Sequence, residues 1–295
     1  MPLRCLDAQL REFIDVLQTK PLPKTVHPPR SQASGATGNR ILASLPEADF
    51  QRLKPHLEWV DMPLGQVLVE PGALLTHAYF PATVIVSLLY VMDDGESAEI
   101  ALVGNDGVLG VTLFMGGNSS TIRAVVQSAG KGWRMPASAF MAEVARGGPT
   151  LRALLLYTQS LLTQMTQTAA CNRHHTLEQQ FCRWLLMSAS RPAEPAVPRG
   201  DLSSPAKPVL LKSFDRLTGA EMVMTQKLIA KMLGVRSDEV TASATALEAT
   251  GAISYRDGHV KLLDRDALER ASCECYGVVK RECGRLMPEL ARQAA

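Results

Sequence analysis

The cysteine and histidine side chains are the residues with the greatest capacity for metal or redox chemistry. The six cysteines are Cys5, Cys171, Cys182, Cys273, Cys275 and Cys283. On a helix, the thiols of Cys273 and Cys275 would point about 200° apart, because each residue turns the helix by about 100°. Two such thiols cannot share one ion. His174 and His175 lie at a predicted helix junction and have no carboxylate at ligand spacing. These patterns favour structural roles over metal binding, and Cys283 has no assigned role.

Motifs of the common enzyme classes are absent from the sequence. It contains no Gly-x-Ser-x-Gly, no phosphate-binding loop, no Gly-x-Gly-x-x-Gly and no His-Glu-x-x-His. We therefore expect a protein that is not an enzyme and that needs no cofactor or metal.

Residues 224–264 are the most informative part of the sequence. Thr225 can cap a helix that ends at Gly234, and Ser237 can cap a second helix that ends at Gly251. Two strands are predicted at 252–255 and 259–263, around the turn Arg256-Asp257-Gly258. A helix-turn-helix followed directly by such a hairpin, or wing, is typical of DNA-binding domains.

This segment also supplies the predicted DNA contacts. They are Thr225, Lys227, Arg236, Ser237, Asp238, Glu239, Thr241, Arg256 and Lys261. Arg236 is the main candidate for a guanine or a flanking phosphate. Asp238 and Glu239 either accept from a cytosine amino group or only complement the helix dipole. From 215 to 265, seven basic residues balance seven acidic ones, so we expect weak non-specific attraction to phosphates.

A series of short apolar runs precedes these elements and must form the first domain. The runs are 66–70, 78–80, 84–92, 98–103, 108–114, 121–127 and 131–135, separated by turn residues. Short strands at this spacing predict an antiparallel barrel or sandwich.

From Pro149 onward the apolar period changes to that of a long helix, with few charges between 153 and 170. We predict that Leu154, Leu155, Leu162 and Met165 face a second copy of the chain, because so apolar a surface is poorly suited to water. The alternative is that one face packs only on the first domain.

Composition limits the class of protein. The chain has 295 residues with 31 basic and 29 acidic side chains, a net charge of +2. Net charge alone therefore gives no indication of a polyanionic partner such as nucleic acid. No apolar run approaches the roughly 20 residues of a membrane span, and the start does not resemble a secretory signal. We expect a soluble, cytoplasmic protein without membrane partners and with reduced cysteines.

We predict four parts along the chain. They are an extension and linker at 1–39, a sensor domain at 40–148, dimerisation and connecting helices at 149–190, and a DNA-binding domain with a C-terminal helix at 191–295. The Pro-rich stretch at 21–38 is expected to be a linker, and 191–208 a surface loop.

Residues 40–280 resemble the Crp/Fnr superfamily of bacterial regulators, most clearly at 108–114, at 177–191 and in the winged helix. The resemblance implies an α+β protein: an N-terminal cyclic-nucleotide-binding-like β jelly-roll barrel, a long dimerisation helix and a C-terminal winged helix-turn-helix. Residues 263–276 resemble a subgroup that lacks the iron–sulfur cysteines.

The family's phosphate-binding cassette corresponds here to Gly110, Val111, Ser120, Thr121 and Arg123. Val111 and Ser120 stand where the family has the glutamate for the ribose and the arginine for the phosphate. Arg123 should point elsewhere, because side chains alternate along a strand. We therefore expect no ordinary cyclic AMP binding, and either an unidentified effector or none.

The resemblance implies a homodimeric regulator that binds double-stranded operator DNA, with RNA polymerase as a further candidate partner. A second departure is that 237–246 contain no basic residue, whereas the family often has arginines there. The alternative function is therefore a ligand- or protein-binding module whose winged helix has lost DNA recognition.

Overall fold

The computed structural model describes residues 38–189 and 221–292. The extension, the predicted loop at 191–208 and Cys5 lie outside the described residues. Helices α1 (Arg40–Ser44) and α2 (Glu47–Leu53) begin the described chain and lead into a short 3-10 turn, Lys54–His56. The Asn39 side chain caps α1 and donates to the carbonyls of Pro81 and Gly107, which ties this entry helix to the first domain.

The first domain consists of two antiparallel sheets around one apolar core. The strands are β1 (Glu58–Met62), β2 (Val67–Val69), β3 (His77–Pro81), β4 (Ile85–Val91), β5 (Ser97–Val103), β6 (Ile122–Ser128) and β7 (Gly130–Pro136). One sheet has the order β1-β7-β3 and the other the order β2-β6-β4-β5. This is an open, jelly-roll-like pair of sheets rather than a closed barrel.

The predicted strand at 108–114 is wrong over most of its length. Leu109 forms only an isolated bridge with Tyr79, and the chain then turns into the short helix α3 (Val111–Phe114). Gly110 has φ 126°, a conformation that ends an extended strand and that favours glycine. The apolar run reflects burial of this turn, which periodicity alone cannot distinguish from burial of a strand.

Strand β4 is buried on both faces from Ile85 to Leu89, which explains its apolar sequence around Ser87. Val86 and Leu88 face the core between the two sheets, whereas Ile85 and Leu89 face the C-terminal domain. The four-stranded sheet is therefore a platform on which the rest of the chain packs.

The helices between the two domains are α4 (Ala137–Ala145), α5 (Gly148–His174) and α6 (Leu177–Ser188). The C-terminal domain contains β8 (Glu221–Val223), α7 (Gln226–Leu233), α8 (Ser237–Ala249), β9 (Ile253–Arg256), β10 (His259–Leu262), α9 (Arg265–Ala271) and α10 (Glu274–Arg292). Its three-stranded sheet has the order β8-β10-β9.

Helix α10 packs antiparallel along α5. Near the middle of α5, Gln159 donates to Glu282, and near its end Cys171 contacts Cys273. The long helix thus has two intramolecular neighbours, the sensor core and α10. In the described part of the chain, no helix combines the length and apolarity needed to cross a bilayer.

Candidate nucleic-acid interface

Helices α7 and α8 form the predicted helix-turn-helix. The Thr225 hydroxyl accepts from the Leu228 N–H at 3.2 Å and caps α7, and Gly234 ends that helix in a left-handed conformation. The Val235 N–H then donates to the Ala230 carbonyl at 3.0 Å, which closes the turn. Because Val240 and Leu247 are buried against the domain core, the opposite face of α8 points outward.

The start of α8 differs from the prediction by one residue. Ser237 is the first helical residue, not its cap, and Arg236 occupies the capping position. The Glu239 carboxylate accepts from the backbone N–H of Arg236 at 3.0 Å, so an acidic side chain in the first turn satisfies that N–H. The prediction from Ser237 was therefore correct for where the helix starts, but wrong in assigning Ser237 as the capping residue.

The outward face of α8 is made mostly of small side chains. Its exposed residues are Ser237, Asp238, Glu239, Thr241, Ala242, Thr245, Ala246 and Ala249. The hydroxyls of Thr241 and Thr245 donate to carbonyls one turn earlier in the helix, at 2.8 and 2.9 Å. Their remaining lone pairs can accept from base amino groups, and the neighbouring methyl groups can contact thymine.

Arg236 lies at the exposed N-terminal end of this face, with its side chain 75% exposed. Its guanidinium pairs with Asp238 at 3.0 Å and with Glu239 at 3.6 Å. Asp238 and Glu239, which the sequence suggested as contacts to bases, therefore pair with Arg236, the predicted guanine contact. Exposed pairs of this kind contribute only about 0–1 kcal/mol, so a phosphate or base can displace them.

The wing forms as predicted. Asp257 and Gly258 have φ of 51° and 78°, which is the tight turn that an Asp-Gly pair favours. Arg256 and Lys261 are exposed on its two strands.

Tyr255 holds the wing against the helix-turn-helix. Its N–H donates to Glu248 of α8 at 2.6 Å, and its hydroxyl donates to the Met224 carbonyl at 2.8 Å. Burial raises the pKa of Tyr255 to about 12, so this hydroxyl stays protonated and remains a donor. The recognition helix and the wing are thereby fixed relative to each other.

The start of α7 lies beside the wing turn. The Met224 N–H donates to the Gly258 carbonyl at 2.7 Å, next to Thr225. Lys227 is the second residue of α7 and is exposed. The structure thus brings Thr225 to the turn of the wing.

The five cassette residues lie on three consecutive segments. Gly110 precedes α3 and Val111 begins it, Ser120 and Thr121 lie in the loop before β6, and Arg123 is on β6. Arg123 donates to the Glu70 carboxylate at 2.8 Å. The arginine nearest to this region in sequence is therefore already occupied by a carboxylate of its own chain.

The structure divides the four residues that were predicted to meet a second copy. Leu154 is only 1% exposed and packs inside its own chain, so its assignment to a dimer interface is wrong. Met165 is partly buried against the sensor core. Leu155 and Leu162 are 53% and 55% exposed and lie seven residues apart. The sequence could not separate these faces because α5 has apolar neighbours on more than one side.

Comparison with known proteins bears on the fold and on the C-terminal domain. The sequence model of the Crp-like helix-turn-helix domain matches residues 179–271. This chain has a Crp-like helix-turn-helix domain on a Crp/Fnr fold. The Crp-like character that the sequence suggested is thereby confirmed for this domain, and it supports DNA binding. Comparison with curated proteins gave no significant match.

Solved Crp/Fnr structures resemble the chain over most of their own length. A Crp/Fnr-family regulator from Eubacterium rectale has 12% identity and a TM-score of 0.57, over 80% of this chain and 98% of that one. FixK2 from Bradyrhizobium japonicum has 15% identity and a TM-score of 0.55, over 74% and 98%. The c-di-GMP-responsive regulator CLP from Xanthomonas campestris has 15% identity and a TM-score of 0.53, over 73% and 98%. At these identities the likeness concerns the fold.

Sequence reasoning missed the buried contact between the sensor sheet and the Crp-like domain. Gln127 of β6 accepts from Ser87 and donates to Ser188 of α6, at 2.9 and 3.3 Å. The Trp184 indole donates to Glu99 of β5 at 2.9 Å. Polar residues inside otherwise apolar strands were the available signal, because a buried polar group needs a partner from a neighbouring element.

The sequence argument against a metal site at Cys273 and Cys275 was also wrong. Cys273 precedes α10 and does not lie on it, so the angular argument against a shared ion fails for Cys273 and Cys275. Both thiols converge with Cys171 and His175.

Proposed function

We propose that this protein is a sequence-specific DNA-binding regulator that places α8 in the major groove as a homodimer. The observation that carries the proposal is the exposed, small-residue face of α8, held rigidly beside a wing with exposed cations. A narrow helix face allows the backbone to approach base edges closely, and the wing lies along the phosphates. RNA polymerase and a small-molecule effector are further partners that this role would involve.

Affinity should depend on base contacts more than on phosphate attraction. Arg236, at the N-terminus of α8, pairs with two carboxylates, and residues 237–246 contain no basic side chain. Non-specific complexes, which rest on phosphate neutralisation, should then be weak even at low salt. Specific DNA must displace Asp238 and Glu239 from Arg236 to use its charge.

Dimerisation supplies the second half-site. On α5, the exposed residues at heptad spacing are Leu155, Gln159, Leu162, Thr166 and Ala169. Gln159 lies at the border of this stripe with α10, because it donates to Glu282. Two copies pairing along the stripe would bury both leucines.

The test is a fluorescence-anisotropy titration of the full chain against the promoter of its own gene and against random DNA, at low and moderate salt. Nanomolar binding to the promoter, with much weaker binding to random DNA, supports the regulator. No binding at either salt supports instead a ligand- or protein-binding module without DNA recognition. The acidic start of α8 is the observation that favours this alternative.

A further inference from the structure

Three thiols and one imidazole converge where α5 ends and α10 begins. They belong to Cys171, His175, Cys273 and Cys275, and their ligand atoms all lie within 4.8 Å of one another. His175 is the first residue after α5, and its N–H donates to the Cys171 carbonyl at 3.1 Å, which holds the two residues one turn apart at the end of the helix. Cys273 immediately precedes α10 and Cys275 lies in its first turn, so both thiols can turn toward that face.

We propose that these four residues form a structural zinc site that joins α5 to α10. Two thiolates of an ideal tetrahedral zinc site lie about 3.8 Å apart, and a thiolate lies about 3.6 Å from the imidazole nitrogen, from Zn–S near 2.3 Å and Zn–N near 2.05 Å. Here the sulfurs of Cys171 and Cys273 are 3.4 Å apart, and the Cys275 sulfur is 3.6 Å from His175 Nδ1. One ion at the centre of the group needs only small side-chain movements.

The surroundings fit a closed four-ligand site. The three cysteines are at most 4% exposed and form their own buried cluster, as expected where no position is left for water or substrate. The other imidazole nitrogen, His175 Nε2, contacts the Glu274 carboxylate at 3.1 Å. Metal-bound histidines typically donate their second nitrogen to such a carboxylate, which fixes the ring orientation.

Charge supports the same ion. Zn²⁺ with three thiolates and a neutral imidazole carries a net charge of −1, and the buried guanidinium of Arg183 lies close enough to Cys171 and Cys275 to interact with them electrostatically. Within the described residues, the Arg183 guanidinium donates to the Thr168 hydroxyl and to the Met187 sulfur, and its Nε has no hydrogen-bond partner. A buried cation without a carboxylate partner is costly, and an anionic metal site next to it reduces that cost.

Binding is balanced by proton release. The three thiols give up their protons to solvent as three Zn–S bonds form, and the neutral imidazole donates its Nδ1 lone pair. No oxidant or reductant is required. The N-terminus of α10 also favours the negative charge of Cys273 and Cys275, because its helix dipole is positive there.

The first experiment measures metal in the full chain, produced without a polyhistidine tag and purified under reducing conditions. We expect one zinc per chain by elemental mass spectrometry. After removal by a chelator, Co²⁺ should restore the intense visible bands of tetrahedral thiolate coordination. A metal-free chain that gives no such cobalt spectrum would overturn the proposal, as would a Cys171–Cys273 disulfide in the purified protein.

Variants separate this site from general effects of cysteine loss. Cys171→Ser and Cys273→Ser should each lose stoichiometric zinc. Cys283→Ser should retain it, because Cys283 is also buried on α10 but contacts Ser160 outside the group. Equal loss in all three variants contradicts the proposal.

Glu274→Gln tests the site without removing a ligand. Glu274 is exposed on the far side of His175, so the variant should fold. Its zinc affinity, measured against a competing chelator, should fall about 10- to 100-fold, as is typical when a carboxylate partner of a ligand histidine is lost. An unchanged affinity would rule out His175 as an oriented ligand.

Discussion

Arg236 carries the charge on which the proposed recognition depends, and two carboxylates share that charge when DNA is absent. The sequence identified all three side chains from their place before an amphipathic helix. It could not show that they pair, because an arginine can reach either solvent or its own helix. Cys273 was harder to interpret. The argument against a shared metal ion assumed that Cys273 and Cys275 lie on one helix, but that helix begins at Glu274.

Arg236→Ala should cost about 1–3 kcal/mol on the cognate site and relax discrimination at one base pair, because the N-terminal end of a recognition helix meets base edges. The measurement is anisotropy on a panel of single-base operator variants. Equal losses on specific and random DNA would make Arg236 a phosphate contact and leave Asp238 and Glu239 as the readers.

Lys261→Ala is the matched comparison on the wing. It should weaken all sequences alike and lower the salt slope by about one, because it removes one phosphate contact. A loss confined to the cognate operator would contradict its role in positioning.

At the scale of elements, α5 shows what the spacing of apolar residues can predict and what it cannot. Its apolar spacing correctly predicted a long helix. Its neighbours come from β5 and α10, which are distant in sequence, so Leu154 could not be separated from Leu155. The same limit applies to 108–114, where burial of a turn produced the apolar run of a strand.

Leu155→Glu combined with Leu162→Glu should convert the proposed dimer to a monomer. Each buried leucine contributes about 1.5–3 kcal/mol, and the substitution also places like charges across the twofold axis. Size-exclusion with light scattering measures the mass, and Leu263→Glu is the control because Leu263 is equally exposed but lies after the wing. A wild-type mass of 32.0 kDa at micromolar concentration would reject the dimer.

At the scale of the whole molecule, the sensor and DNA-binding domains share a buried interface. Residues of the four-stranded sheet and of α6 and α7 form one apolar cluster. Local sequence signals located both domains but not this contact, since it depends on long-range packing. The sheet therefore packs directly against the first helix of the helix-turn-helix.

Gln127→Ala should lower the free energy of unfolding by about 1–3 kcal/mol, because it deprives the buried Ser87 and Ser188 hydroxyls of their partner. Chemical denaturation gives the value. Gln51→Ala on the exposed face of α2 should have almost no effect. A stability equal to that of the wild type would show that Gln127 does not link the domains.

Millimolar cyclic AMP should neither stabilise the protein nor alter its DNA affinity. Val111 and Ser120 offer no charge to a cyclic phosphate, and Arg123 pairs with Glu70. A nucleotide present at a hundredfold excess over its dissociation constant would add about 2.7 kcal/mol of stability. An upward thermal shift with cyclic AMP, absent with AMP, would prove this prediction wrong.

The antiparallel packing of α10 on α5 also bears on how the protein can be shortened. The Crp-like domain match ends at residue 271, so a truncation there would keep every predicted DNA contact. It would also remove α10 and uncover a long strip of α5 around Ser160 and Cys171. We expect such a fragment to aggregate before its DNA binding could be assayed, because α10 is the element that covers this strip among the described residues.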